Sequence, residues 1–181
     1  LGFIGSNFVR YVLSVNTEAK IVNLDKIGLG ANPCNLKEVE ALSNYKFIKG
    51  DISNARLVNN LVKDVDGVVN FAAETHVDRS IAQPAFFVKS NILGSFALLE
   101  AVRKHNDAAK YVQVSTDEIY GDRLEGSFSE TDRVNPSNPY SATKASADML
   151  CLAYHRTYGM TVNITRCTNN FGPYQFPEKL I

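Results

Sequence analysis

Five short apolar runs recur along the chain, each separated from the next by a stretch long enough for a helix. They are IVNLD at 21–25, KFIKGD at 46–51, GVVNFAA at 67–73, YVQVS at 111–115 and VNITR at 162–166. The amphipathic stretches between and around them predict helices over roughly 5–15, 54–64, 85–105 and 139–158. Strands that alternate with helices build βαβ units, and those give a parallel sheet. The run GVVNFAA is almost wholly apolar, as a strand covered on both faces must be. With right-handed crossovers the expected fold is an α/β domain with a doubly wound parallel sheet.

The 181 residues suffice for one sizeable domain. Lys plus Arg and Asp plus Glu balance at 19 each, which argues against a nucleic-acid footprint but leaves room for a small anionic ligand. Cys34, Cys151 and Cys167 are scattered with no CxxC spacing, a poor disulfide framework that suits a reducing compartment. His76, His105 and His155 do not cluster with them, so no metal site is expected. No apolar run approaches the ~20 residues of a membrane span, and no signal peptide is evident. The chain opens LGFIGSNF without a Met and stops at PEKLI, so both ends read as cut.

LGFIGSNF holds Gly2 and Gly5 at the start of a predicted helix. Glycines there let the backbone approach a pyrophosphate, and the free N–H groups of a helix N-terminus favour an anion. The same two glycines also suit an ordinary turn. Context favours the anion, because IVNLD ends at Asp25, twenty residues beyond Gly5. An acid at that distance can accept hydrogen bonds from an adenosine ribose and would repel a 2′-phosphate, which selects NAD over NADP. Asp51 closes the next run and either meets the adenine edge or caps the helix over 54–64. The strand that should precede Gly2 is absent from the sequence.

Two further patterns carry chemistry. In NPYSATKASAD, Tyr140 and Lys144 lie four apart and share a helix face. A phenol titrates near ~10, too high for a neutral-pH base, and an adjacent ammonium is expected to lower it. In VSTDEIYG, Ser115 and Thr116 bring hydroxyls, and Asp117 and Glu118 adjacent carboxyls, to the end of a predicted buried strand. Each charge raises its neighbour's pKa, so burial side by side would leave one carboxyl protonated and one not; taken locally, the pair reads equally as a solvated acidic start to a loop. The polar segment 122–139 reads as a long functional loop beside them.

The blocks LGFIGSNF, NLDK, GDI, FAAETHVDRSI, KSNILGS, VSTDEIYG, NPYSATKASAD and RCTNNFGPYQFPEKLI span the chain end to end. On them the chain resembles the extended short-chain dehydrogenase/reductase family and, within it, the dTDP-glucose 4,6-dehydratases. Ile119 and Thr75 stand where that family usually has Val and Ser.

The resemblance implies a Rossmann-type NAD-binding domain over 1–181, with the N-terminal strand and a C-terminal substrate domain missing. It implies cofactor contacts from Gly2, Phe3, Ile4, Gly5, Asp25, Lys26, Asp51, Ile52, Ala72, Ala73, Thr75, Asn91, Ser115, Tyr140, Lys144 and Asn170. The nucleotide-diphosphate sugar would meet His76, Thr116, Asp117, Glu118, Asn169, Glu178, Lys179 and Leu180. In such enzymes the tyrosine, helped by the lysine, takes the C4 hydroxyl proton while NAD takes the hydride. Glu118 would then remove the C5 proton, Asp117 would protonate the departing C6 hydroxyl, and Thr116 would orient the C4 oxygen. The hydride returns to C6, which gives a 4-keto-6-deoxy sugar. The resemblance also implies a cytoplasmic homodimer joined through helices 85–105 and 139–158, in dTDP-rhamnose biosynthesis. A UDP- or GDP-sugar dehydratase, a nucleotide-sugar 4-epimerase and a cofactor-binding fragment without turnover are the alternatives; the epimerase has no need of the two acids.

Overall fold

The computed structural model describes residues 1–177. The chain divides into two units, Leu1–Asp51 with Asn169–Ile181, and Ile52–Thr168.

In the first unit, α1 (Phe3–Val15) is followed by β1 (Ile21–Asp25), a 3-10 turn (Pro33–Leu36) and β2 (Tyr45–Lys49). Asn32 starts the turn by accepting from the Cys34 amide. The two strands are parallel, Ile21 opposite Tyr45 and Asp25 opposite Lys49. Val9 and Leu13, one turn apart on α1, bury against Leu36 and Tyr45. Spacing of this kind turns one helix face to the core.

In the second unit, α2 (Ala55–Leu61), β3 (Gly67–Asn70) and α3 (Val77–Ala82) lead into a long helix. That helix starts as α4 (Pro84–Phe87), passes through a π turn at Val88–Leu93 and continues as α5 (Gly94–His105). Next come β4 (Lys110–Thr116), a 3-10 turn (Asp117–Tyr120), α6 (Pro139–Tyr158) and β5 (Val162–Cys167). The sheet order is β3-β4-β5, all parallel.

All five expected strands form, and so do the four expected helices. The ladders fall into two groups, β1-β2 in the first unit and β3-β4-β5 in the second. Strand β3 stops at Asn70 although the apolar run continues to 73. Asn70 Oδ1 accepts from the Ala72 amide at 3.1 Å, and its Nδ2 donates to Gln113 Oε1 at 3.0 Å, which turns the chain out of the ladder. The α2 cap is Asn54, accepting from Leu57 N at 3.2 Å, and not Asp51.

The long helix corrects another expectation. Pro84–His105 is 22 residues long and, by length and composition, apolar enough to cross a membrane. Lys89 and Asn91 break the apolar run and hide that length in the sequence. More than half of it is buried inside the fold, where it packs on α2 and α6, as the core helix of a globular domain does.

The loop after the 3-10 turn folds back, and the Asn135 amide donates to the Ile119 carbonyl at 2.9 Å. Gly121 makes the close approach possible. Its φ is +82°, and an added Cβ would lie 2.3 Å from the Asn135 carbonyl oxygen. Both the backbone conformation and the contact exclude a side chain. Gly121→Ala is therefore expected to lower stability by about 2 kcal/mol or more, read as a drop in the denaturant midpoint with an unchanged slope.

Candidate active site

The carboxyl end of β4 collects the reactive groups of the second unit. Thr116 ends the strand in extended conformation and caps the 3-10 turn, its hydroxyl oxygen accepting from the Glu118 amide at 3.2 Å. The same hydroxyl donates to Asp117 Oδ1 at 3.3 Å. Asp117 and Glu118 are half-buried. The expectation of two buried carboxyls is corrected on this point, because the turn lifts them out of the strand.

Helix α6 brings the second set. Asn138 and Ser141 form a capping box, with Ser141 N donating to Asn138 Oδ1 at 2.8 Å and Asn138 N to Ser141 Oγ at 3.2 Å. Pro139 occupies the first turn, where its missing N–H costs nothing. The start of the helix is thus fixed one residue before Tyr140. Tyr140 is buried, edge-on to Phe87 with ring centroids 6.3 Å apart. One turn on, Lys144 is also buried and donates from Nζ to the Val114 carbonyl at 2.6 Å.

The electrostatics reverse one expectation. Burial pushes the Tyr140 phenol above its ordinary value, and the Glu118 charge pushes it the same way; the nearby Thr116 hydroxyl only partly opposes them. Lys144 does not depress it, because its amine is turned to the strand carbonyl. Burial lowers Lys144 itself to about 8, against the pull of the Asp148 charge.

The segment after β3 is held by Asn91. Its Oδ1 accepts from Glu74 N at 2.8 Å, while Nδ2 donates to Glu74 O at 3.0 Å and to Thr143 Oγ1 at 2.9 Å. The amide expected at the cofactor is therefore spent on protein, pinning the Ala72–Ala73 segment to α6. Thr75 is exposed, and His76 is half-buried at a φ of +93°, a conformation that a non-glycine residue holds only under constraint. Ile52 is buried against Gly94, where a Cβ would meet Ile52 Cδ1 at 2.5 Å. Ser115 is buried, and its carbonyl lies 3.6 Å from Cys167 Sγ.

In the first unit, Gly2 caps α1 in extended conformation, with no side-chain cap and no acid in the first turn. An added Cβ on Gly2 would meet nothing within 4 Å. Asn7 Nδ2 donates to the Phe3 and Pro173 carbonyls, both at 2.9 Å. This joins Phe3, Ile4 and Asn170 around a cleft of about 220 Å³. Gly5 lies in the same first turn, and Asp25 ends β1, its Oδ1 accepting from Ile27 N at 2.6 Å. Lys26 follows it, and Asn169 begins the returning segment. An uncapped helix start with an acid closing the next strand fits the phosphates and ribose of a dinucleotide. Glu178, Lys179 and Leu180 lie outside the described residues.

Comparison with known proteins places this arrangement. The family model described as GDP-mannose 4,6 dehydratase matches residues 1–181. The chain belongs to this family. A dTDP-glucose 4,6-dehydratase of Streptomyces niveus is 48% identical over 99% of the chain and 54% of that protein. The crystal structure of DesIV (dTDP-glucose 4,6-dehydratase) from Streptomyces venezuelae with NAD bound has a TM-score of 0.96 and 44% identity, over 99% of this chain and 57% of that one. A UDP-glucuronic acid 4-epimerase of Bacillus cereus, solved with NAD, is 30% identical with a TM-score of 0.87, over 98% and 57%. The chain thus spans a little over half the length of the relatives it matches.

Thr116, Asp117 and Glu118 stand at the end of β4, and Tyr140 and Lys144 in the first two turns of α6, which the Lys144–Val114 bond ties to that strand. Three supporting residues escaped the sequence reading: Thr143, Asp148 and Arg166. Asp148 is fully buried, 3.1 Å from Arg166 Nε. Its position one turn beyond Lys144 was the available signal.

Lys144 yields a pH prediction. Its pKa falls from 10.5 unfolded to about 8 folded. Keeping the ammonium buried destabilises the fold fully below pH 8, and the cost fades to nothing as pH rises to 10.5. Set against the lost Val114 bond, Lys144→Met is expected to stabilise the fold by about 1–2 kcal/mol at pH 7. That advantage should shrink across the alkaline window in denaturant titrations.

Proposed function

We propose that this chain carries the NAD-binding and catalytic part of a dTDP-glucose 4,6-dehydratase. The observation that carries the reading is the two carboxyls on the turn that Thr116 caps, near enough to the Tyr140 phenol for the Glu118 charge to act on it. A hydroxyl oxidation alone needs the phenol; an elimination also needs a proton acceptor and a proton donor. The relatives named dTDP-glucose 4,6-dehydratase support the nucleotide, at higher identity than the epimerase.

The roles assigned are those that the family resemblance implies. Gly2, Phe3, Ile4 and Gly5 offer amides to the pyrophosphate, and Asp25 accepts from the adenosine ribose. Asp51 and Ile52 flank the adenine side. Thr116 holds the C4 oxygen towards Tyr140, which accepts its proton. Lys144 fixes α6 against β4. When bound, NAD supplies the hydride acceptor for C4 and the donor for C6, with a positive charge in its oxidised ring. The C4 ketone acidifies C5, whose proton Glu118 takes, and Asp117 protonates the leaving C6 hydroxyl. His76, Asn169 and Lys179 would bind the nucleotide-diphosphate sugar. The product is dTDP-4-keto-6-deoxyglucose, a precursor suited to dTDP-rhamnose.

Assembly as a homodimer is part of the proposal. Leu93, Phe96, Met149, Leu152 and Tyr158 are 41–51% exposed on the two long helices, an apolar face that a second copy would cover. The balanced charge and free thiols suit the cytoplasm.

Two substitutions test the chemistry in the full-length protein with dTDP-glucose. Glu118→Gln should abolish water loss, read by mass spectrometry of the product, while NAD stays bound; near-normal product would remove Glu118 from the base role. Tyr140→Phe should leave no transient 340 nm absorbance, because C4 oxidation itself stops. Turnover of UDP-glucose in place of dTDP-glucose would reassign the nucleotide.

A further inference from the structure

We propose that Arg166 is a positioning residue that sets the acid-bearing turn against the helix carrying Tyr140 and Lys144. This inference rests on the dehydratase reading above. Arg166 lies on β5 directly across from Ser115, beside the point where β4 gives way to the turn. Its guanidinium reaches three elements at once. Nη1 donates to the Tyr120 hydroxyl at 2.6 Å, Nε pairs with Asp148 Oδ2 at 3.1 Å, and Nη1 also meets the Glu130 carbonyl at 3.3 Å. Tyr120 is the last residue of the turn that begins with Asp117 and Glu118. Asp148 stands one turn beyond Lys144 on α6, fully buried.

The contacts continue outwards as a stack. The Arg166 guanidinium carbon lies 5.2 Å from the Tyr120 ring centre, Tyr120 stacks on Phe128 at 5.2 Å, and Arg123 covers Phe128 at 4.1 Å. Arg123 in turn pairs with Asp132 at 3.0 Å, so an ion pair closes each end. A planar guanidinium with several fixed N–H groups can hold hydroxyl and carboxylate at set angles, which a lysine cannot. The elimination needs the carboxyls and the phenol at fixed spacing around one sugar, and displacements of about 1 Å cost on the order of 100-fold in rate. Arg166 touches no reacting atom in this scheme; it holds the two halves of the site in register.

Removing Arg166 outright would strand the Asp148 charge in the core and risk the fold. The informative variant is Tyr120→Phe, which deletes one hydroxyl and keeps the ring stack and the Arg166–Asp148 pair. In the full-length protein with NAD, kcat should fall about 10- to 100-fold, with KM for dTDP-glucose within about twofold of wild type. Arg166→Lys should show the same split, and the double variant should be no slower than the worse single one. A kcat within twofold of wild type for Tyr120→Phe, or losses that multiply in the double variant, would overturn the proposal. A crystal structure of Tyr120→Phe supplies a readout free of turnover. The turn 117–120 should move by more than about 0.5 Å relative to α6, and an unmoved turn refutes the positioning role. Wild-type protein that dehydrates no nucleotide sugar refutes the functional reading instead.

Discussion

The bond from Lys144 Nζ to the Val114 carbonyl, 2.6 Å long, ties the catalytic helix to the catalytic strand. It lands two residues before Thr116, so it sets how far along β4 the helix sits. The capping box at Asn138 fixes where that helix starts, and Tyr140 and Lys144 then fall one turn apart on the side that faces the strand end. Burying an ammonium for this purpose is costly, and burial draws its pKa down to about 8. The fold accepts that cost and places the Asp148 charge nearby to offset part of it. Asp148 needs its own partner, which is Arg166, and Arg166 leads to the turn that bears the acids. One buried cation thus propagates a chain of polar contacts that joins helix, sheet and turn.

A second set of polar contacts does the same on the other side of β4. Asn70, Ser95, Tyr111 and Gln113 form a buried cluster beneath the strands, and Asn70 ends β3. Asn91 then clamps both backbone groups of Glu74 and reaches Thr143 on α6. Buried polar groups are tolerated only when paired, and a fully paired network admits few alternative arrangements. The loop from Ala72 to His76 owes its place to this network. Asn91 itself lies buried in the π turn at Val88–Leu93.

Much of this was legible beforehand, and what was not has definite causes. Periodicity located every strand, because each is a short apolar run bounded by polar residues. It placed α6 at its observed limits, which the structure closes with the Asn138 cap and the left-handed Gly159. It missed α3, whose six residues VDRSIA are too few to show a period. Spacing put Tyr140 and Lys144 on one face, but not the direction of the amine, which depends on a strand that is distant in sequence. Asn91 was recognisable as a buried amide in need of partners. The partners, Glu74 and Thr143, come from two other elements and leave no local trace. Arg166 was hidden for the same reason, since a charged residue in a strand reads as solvent-facing until its neighbours are known.

The direction of the Tyr140 shift bears on how such a site works. A phenol surrounded by apolar wall and facing Glu118 rests protonated, further from a base than free tyrosine. Nothing that α6 or β4 carries reverses this, because the one nearby ammonium is committed to Val114. A cation brought into the site would favour the phenolate, and an oxidised nicotinamide is such a cation. Proton acceptance by Tyr140 would then be tied to positive charge beside its ring. On this argument the burial that raises Tyr140 holds its phenol protonated until such a charge is present beside it.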